Sequence, residues 1–278
     1  MKKSLILIFT IVFFASCEKP FTVDNSNYVS KLVVNNLFEQ GTPFEISVSN
    51  SVNVYDTLIP KYLSSSDVKL YINNAFAETL ASAGNGYYTA TTIPIPGNTY
   101  KVTVSNAGFP LAETESVLPV AVKISDWYYL DSTLQNSNGD YFGELSFTID
   151  DPLGENNYLL SLKFWDDTRK EYIYLSGFTS EDQSLNQNLA VRLMNGEFLF
   201  TDNLFNGKRK TFILKVPSGY YFGMPNYLLS LYSLSKDAYF YAYSKSSNGP
   251  SNSSATYSNV KNGLGVFAGR SLDTDTIH

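Results

Sequence analysis

Cysteine and histidine each occur once in this chain, as Cys17 and His278. His278 is the last residue given and is expected to sit in a frayed end, where it cannot hold a general base in place. That excludes Ser-His-Asp and Cys-His catalysis and histidine-bound zinc. One cysteine excludes an internal disulfide. Charge is scarce as well: 17% of residues are charged, the formal net charge is −6, and no basic run exceeds the three residues Lys208-Arg209-Lys210. Nucleic acid and anionic head groups are therefore not expected as partners. Long apolar runs are missing after the first residues. The early run, Leu5 to Ala15, reaches only about 16 Å as a helix against the ~30 Å of a bilayer core.

That run is nonetheless informative. Lys2 and Lys3 precede it and Ala15-Ser16-Cys17 follows it, the basic, apolar and small-residue order of a secretory leader. Small-small-Cys is the layout of a bacterial lipobox, with Phe14 standing where Leu is usual. Residues 1–16 are expected to be the signal peptide and Cys17 the acylated anchor. Two or three acyl chains (palmitate or its like), at about 0.8 kcal/mol per buried CH₂, hold a membrane as one chain does not. Residues 17–30, with Pro20 and several Asn and Ser, read as anchor and tether.

Aromatics are abundant where charge is not. Tyr (21) and Phe (19) far outnumber Trp (2), and with plentiful Asn, Ser and Gly they favour strands and tight turns. Strand patterns run over Lys31–Phe38, Pro43–Ser49, Asp67–Ile72, Ala75–Leu80, Tyr87–Ala90, Thr99–Val104 and on to Val117. Asn73-Asn74, Gly84-Asn85-Gly86 and Asn106-Ala107-Gly108 mark turns between them. About seven short strands in ~90 residues predict an immunoglobulin- or prealbumin-like sandwich over 31–119. Leu118-Pro119-Val120 closes it, because proline cannot continue a ladder.

A second β-rich domain is expected over 120–278. Its strands are Val122–Leu130, Gly143–Ile149, Asn157–Trp165, Tyr172–Leu175, Leu189–Leu193, Glu197–Phe200, Thr211–Val216, Asn226–Tyr232 and Val260–Ser271. Alternation breaks at Ser235, a good N-cap followed by Asp237. One short helix is therefore expected from Ser235 to about Ser246. The fold class is all-β.

Each candidate for chemistry has a plainer reading beside it. Asp150-Asp151 and Asp166-Asp167 are the visible carboxylate doublets. Strand neighbours point to opposite faces, and Asp150-Asp151 before Pro152 reads as a solvated turn. No segment fits a calcium loop; Asn136 to Glu144 lacks the first ligand and misplaces the last. Gly263-x-Gly265-x-x-x-Gly269 misses the dinucleotide fingerprint by one position and has no Lys-Ser/Thr, so its glycines are expected to serve a bulge or close packing. Asp56-Thr57-Leu58, Asp131-Ser132-Thr133 and Asp275-Thr276-Ile277 match a short O-glycosylation sequon, a pattern that also arises by chance.

Binding remains. Trp127-Tyr128-Tyr129, Tyr220-Tyr221-Phe222 and Tyr239-Phe240-Tyr241 each place rings on more than one face. Trp127, Tyr128, Tyr129, Tyr220, Tyr221, Tyr239 and Tyr241 are thus candidate contact residues, unless neighbouring elements cover both faces.

These features together resemble the DUF4249 lipoproteins of Bacteroidota. The resemblance rests on Cys17-Glu18-Lys19, Lys31-Leu32-Val33-Val34, and Gly86-Tyr87-Tyr88 through Pro96-Gly97-Asn98-Thr99-Tyr100. It continues in Phe200-Thr201-Asp202, Asn206-Gly207-Lys208, Ser235 to Tyr243, Tyr257-Ser258-Asn259-Val260 and Asn262-Gly263-Leu264-Gly265-Val266-Phe267. It implies an outer-membrane-associated protein, an accessory to a TonB-dependent transporter or another envelope protein. It carries no catalytic residue, metal or cofactor with it. The alternative is a glycan- or nutrient-binding module that stacks sugars on its aromatics. The anchored body is expected on the periplasmic or the cell-surface face of the outer membrane.

Overall fold

A computed structural model of the chain describes residues 28–53, 59–135, 139, 141–186, 189–217, 226–247 and 256–277. Cys17, the 56–58 sequon, Tyr220, Tyr221 and His278 lie outside these residues.

The first half forms eight strands: β1 (Leu32–Glu39), β2 (Glu45–Asn50), β3 (Asp67–Ile72), β4 (Ala75–Thr79), β5 (Ala81–Gly84), β6 (Tyr87–Thr89), β7 (Thr99–Ser105) and β8 (Ala112–Val117). Alternation drives them. In β7, Tyr100, Val102 and Val104 are buried while their neighbours are half-buried or exposed. The β3–β4 hairpin turns on Asn73 and Asn74, both at positive φ (49° and 70°), the pairing a two-residue type I′ turn requires. The strand expected from Ala75 to Leu80 is β4, and a further strand, β5, follows it directly. Leu80, buried and donating its N–H to the Val68 carbonyl, carries the chain from one sheet to the other. There β5 begins.

The second half contributes β9 (Ile124–Gln135), β10 (Tyr141–Asp150), β11 (Asn157–Asp166), β12 (Glu171–Tyr174), β13 (Val191–Arg192), β14 (Phe198–Thr201), β15 (Arg209–Pro217), β16 (Tyr227–Leu234), α1 (Lys236–Ser247) and β17 (Gly263–Ile277). The fold is all-β, with α1 the one α-helix among the described residues.

Three sheets result. Ten strands make the largest, in the order β13-β14-β11-β16-β17-β1-β2-β6-β5 with β12 beside β11. A four-stranded sheet, β4-β3-β7-β8, covers one end of its inner face and a three-stranded sheet, β15-β10-β9, the other. Two cores lie between these layers. Phe38, Phe44, Tyr100 and Phe267 cluster in the first, and Phe147, Tyr158, Phe200 and Phe212 in the second.

Around Pro119 the chain passes from one core to the other: Leu118 belongs to the first and Val122 to the second. Residues 120–278 nevertheless do not form a body of their own. β17 pairs in parallel with β1 from Gly263 to Arg270, then antiparallel with β16 from Arg270 to Ile277. Val260 and Phe267 complete the first core. One strand thus belongs to both sandwiches, and the glycine spacing serves that join. A side chain at Gly269 would meet the Val117 carbonyl oxygen at 2.3 Å.

The helix begins where expected. Ser235 Oγ accepts from the Ala238 amide at 3.2 Å, and Asp237 in the first turn complements the dipole. Ser235→Ala is expected to cost about 1 kcal/mol, read as a lower urea midpoint at unchanged slope. An unchanged midpoint would show that the cap contributes nothing.

Among the described residues, every core residue lies between Leu32 and Ile277. The body that follows Cys17 thus holds all three of these clusters.

Candidate functional site

α1 has no polar side of ordinary width, because Tyr239, Phe240, Tyr241 and Tyr243 point around it. Its inner stripe, Ala238, Tyr239, Tyr241 and Ala242, rests on Leu159, Leu199, Leu234, Val266 and Ala268 of the ten-stranded sheet. This is the outer face, away from both sandwich cores. Tyr243 stacks on Tyr239 with centroids 6.3 Å apart, and Phe240 lies 5.6 Å from Tyr257. Burial, with the neighbouring Tyr243, pushes the Tyr239 hydroxyl pKa upward.

A cleft lies on either side of the helix. The first is an apolar groove of about 420 Å³ between α1 and the turn that joins β13 to β14. Leu37, Leu159 and Leu234 line it from the sheet, Tyr241 and Ala242 from the helix, and Leu193 and Met194 from the turn. Met194 is 96% exposed. Lys245 lies at the groove with its Nζ 5.3 Å from the centre of the Tyr241 ring. Arg270 is also there, but its Nε donates to Glu39 Oε1 at 2.5 Å and its guanidinium lies 5.0 Å from the Tyr232 ring.

The second cleft, about 490 Å³, is polar and mixed in charge, lined by Lys101, Glu113, Glu115, Asp237 and Lys261. Two of its polar side chains, Asp237 and Asn259, are engaged in structure. Asp237 accepts from Ser116 Oγ at 2.8 Å and from the Tyr257 hydroxyl at 2.7 Å. Burial and that hydrogen bond push the Tyr257 pKa up to about 12. Asn259 donates to the carbonyls of Phe267 and Glu115 and accepts from the Phe267 amide. Tyr257 and Asn259 thus lock the helix start, β8 and β17 together. That explains physically why residues of these types stand at those positions.

The expected contact aromatics do not converge. Trp127 is half-buried against the second core and donates Nε1–H to Asp275 at 2.8 Å. Tyr129 packs edge-on against Tyr227 at 5.4 Å. Tyr128 is 44% exposed, its hydroxyl 2.8 Å from Glu144 Oε1. Tyr239 and Tyr241 are half-buried on the opposite side of the large sheet. The residues lining the groove from Leu37, Leu193, Met194 and Lys245 were not singled out in the sequence. They come from segments far apart in the chain and share no motif.

The acidic doublets also separate. Asp166 accepts the amides of Thr168 and Arg169 in a turn. Asp150 is exposed and pairs with Arg209 at 2.8 Å. Asp151, expected in a solvated turn, is buried instead. It accepts from the Tyr158 hydroxyl and, at 2.8 Å, from the Gly207 amide. Asp202, buried beside it, accepts from Asn156 at 3.2 Å. This dyad lines neither cleft. Among the described residues no group of three or more His, Cys, Asp or Glu is placed to hold a metal. No described helix is long and apolar enough to cross a membrane.

A domain of unknown function, DUF4249, matches residues 18–276. The chain belongs to this family. No curated protein matches it. The DUF4249 match takes in both sandwiches, the helix and the shared strand β17, so the family's unit is the whole body described above.

Proposed function

We propose that this DUF4249 protein is a lipoprotein of the outer membrane that works by binding and not by catalysis, as an accessory to a TonB-dependent transporter or another envelope protein. The observation that carries this reading is the helix-bearing face. Both clefts flank α1 there, one lined mainly by apolar side chains and the other by side chains of mixed charge. Anchoring is supported by the leader-like start and by Cys17, followed by a polar tether that leads into β1.

Two measurements test it. Cys17→Ala is expected to leave the protein unprocessed or soluble; retention in outer membranes after a salt wash would overturn the anchor. The full-length protein, purified from solubilised envelopes, is expected to bring down a barrel protein in stoichiometric amount. Met194→Asp and Leu37→Asp should weaken that capture.

One observation favours the alternative of a glycan- or nutrient-binding module. Trp165 and Tyr172 meet edge-on at 5.2 Å on the β11–β12 hairpin, and Tyr174 beside them is half open to solvent. Saturable glycan binding without barrel capture would decide for that module.

A further inference from the structure

We propose that the groove beside α1 binds an anionic amphiphile, an apolar chain ending in a single carboxylate. The proposal rests on the reading of this protein as a binder but not on the identity of any protein partner. Size comes first. At about 420 Å³ the groove falls within the ~300–1,000 Å³ of small-molecule sites. Leu37, Leu159, Leu234 and Ala242 give it an aliphatic lining that polar ligands would have to desolvate against.

The polar groups then select the head. Asn195 donates to Glu197 at 2.7 Å, Ser246 donates to the Tyr243 carbonyl at 2.7 Å, and Arg270 is paired with Glu39. Two groups are left without a hydrogen-bond or ion-pair partner among the described residues, the Lys245 ammonium and the Tyr241 hydroxyl. They are neighbours, with Nζ 5.3 Å from the ring centre. Both can donate, and among the described residues the cation has no anion paired with it. A ligand with one negative head complements that pair. A neutral or cationic head would leave Lys245 without a counter-charge or repel it. Met194, unbranched and 96% exposed at the open side, can fold onto chains of different shape.

The test uses the body from residue 18 onward, which the family match spans and which holds both sandwich cores, with decanoate, decanol and decyltrimethylammonium as probes. Decanoate is expected to bind saturably at one site, shifting the methyl resonances of Met194, Ala238 and Ala242, and to bind more tightly than the other two. Lys245→Glu should weaken decanoate about tenfold, since it removes one attraction and adds one repulsion, and leave decanol unchanged. Ala242→Trp, which fills the groove, should abolish binding of both; should that variant fail to fold, the Lys245→Glu comparison decides alone. Decanoate binding no tighter than decanol, shifts confined to another surface, or no saturation would each overturn the proposal. Barrel capture without decanoate binding would overturn this inference alone. Loss of both would overturn the binding reading as well.

Discussion

Gly265→Ala is expected to destabilise the protein by about 3–5 kcal/mol, enough to unfold a marginal domain. Gly265 holds φ +108°, outside the range ordinary residues adopt at low cost. A Cβ there would lie 2.2 Å from the Val34 carbonyl oxygen and 2.8 Å from Asn35 Oδ1. The first is backbone in the paired strand β1, so no side chain can swing aside. The second accepts from the Val266 amide at 3.1 Å and would lose that bond. Gly41→Ala is the matched control, with φ +89° and nothing within 4 Å of its Cβ. It pays for conformation alone, about 1 kcal/mol. Urea denaturation of both variants checks the difference. Equal losses would mean that the close approach of β17 to β1 contributes nothing beyond backbone strain.

The same experiment reads how the two sandwiches are joined. Trp127 and Trp165 both lie in the second half, whereas Gly265 sits where β17 completes the first sheet's end. If Gly265→Ala moves the fluorescence transition of those tryptophans, the strand couples both cores into one cooperative unit.

Local signals in the sequence carried a long way. Asn73-Asn74 and Gly84-Asn85-Gly86 announced their turns, Thr99 to Val104 its alternation, and Ser235 its helix. Each is decided within a few residues, where propensity and hydrogen-bond chemistry suffice. The partner of β17 was not legible. Its glycines signalled close approach, but nothing nearby says that the approaching backbone is Leu32–Glu39 and that the pairing is parallel. Pairing at that separation depends on the whole packed sheet.

The candidate site was less legible than the fold. Ring-rich runs such as Trp127-Tyr128-Tyr129 suggest exposure only if one face lacks cover, and cover comes from elsewhere: Asp275 takes the indole N–H and Tyr227 packs on Tyr129. The groove shows the converse. Lys245 is unremarkable in sequence and becomes informative because its neighbours' polar groups are already partnered.

Asp151 was misread for a related reason, and it carries the second large effect. Asp151→Ala is expected to cost about 2–4 kcal/mol near neutral pH, because it strands the Tyr158 hydroxyl and the Gly207 amide, both turned toward the buried carboxylate. Asp151→Asn should be milder, keeping one acceptor and removing a charge from beside Asp202. The two aspartates also set a pH signature. Burial raises the Asp151 pKa above its ordinary value, the Tyr158 and Gly207 hydrogen bonds oppose the rise, and the Asp202 charge adds to it. The folded protein therefore takes up this proton at higher pH than the unfolded chain does. Stability at this site is gained as pH falls through the raised folded value toward the ordinary carboxylate range, and lost as pH rises through it. Other carboxylates run the opposite way. The Arg169 amide lowers Asp166 and a hydrogen bond from Lys215 lowers Glu181, and both contribute less as they protonate. Total stability alone would hide the dyad. The difference between wild type and Asp151→Asn isolates it: measured by urea at pH 7.5 and pH 4.5, that difference should move in favour of wild type on acidification. Movement in favour of the variant would mean that the hydrogen bonds from Tyr158 and Gly207 outweigh burial, and that the folded protein holds Asp151 charged by preference.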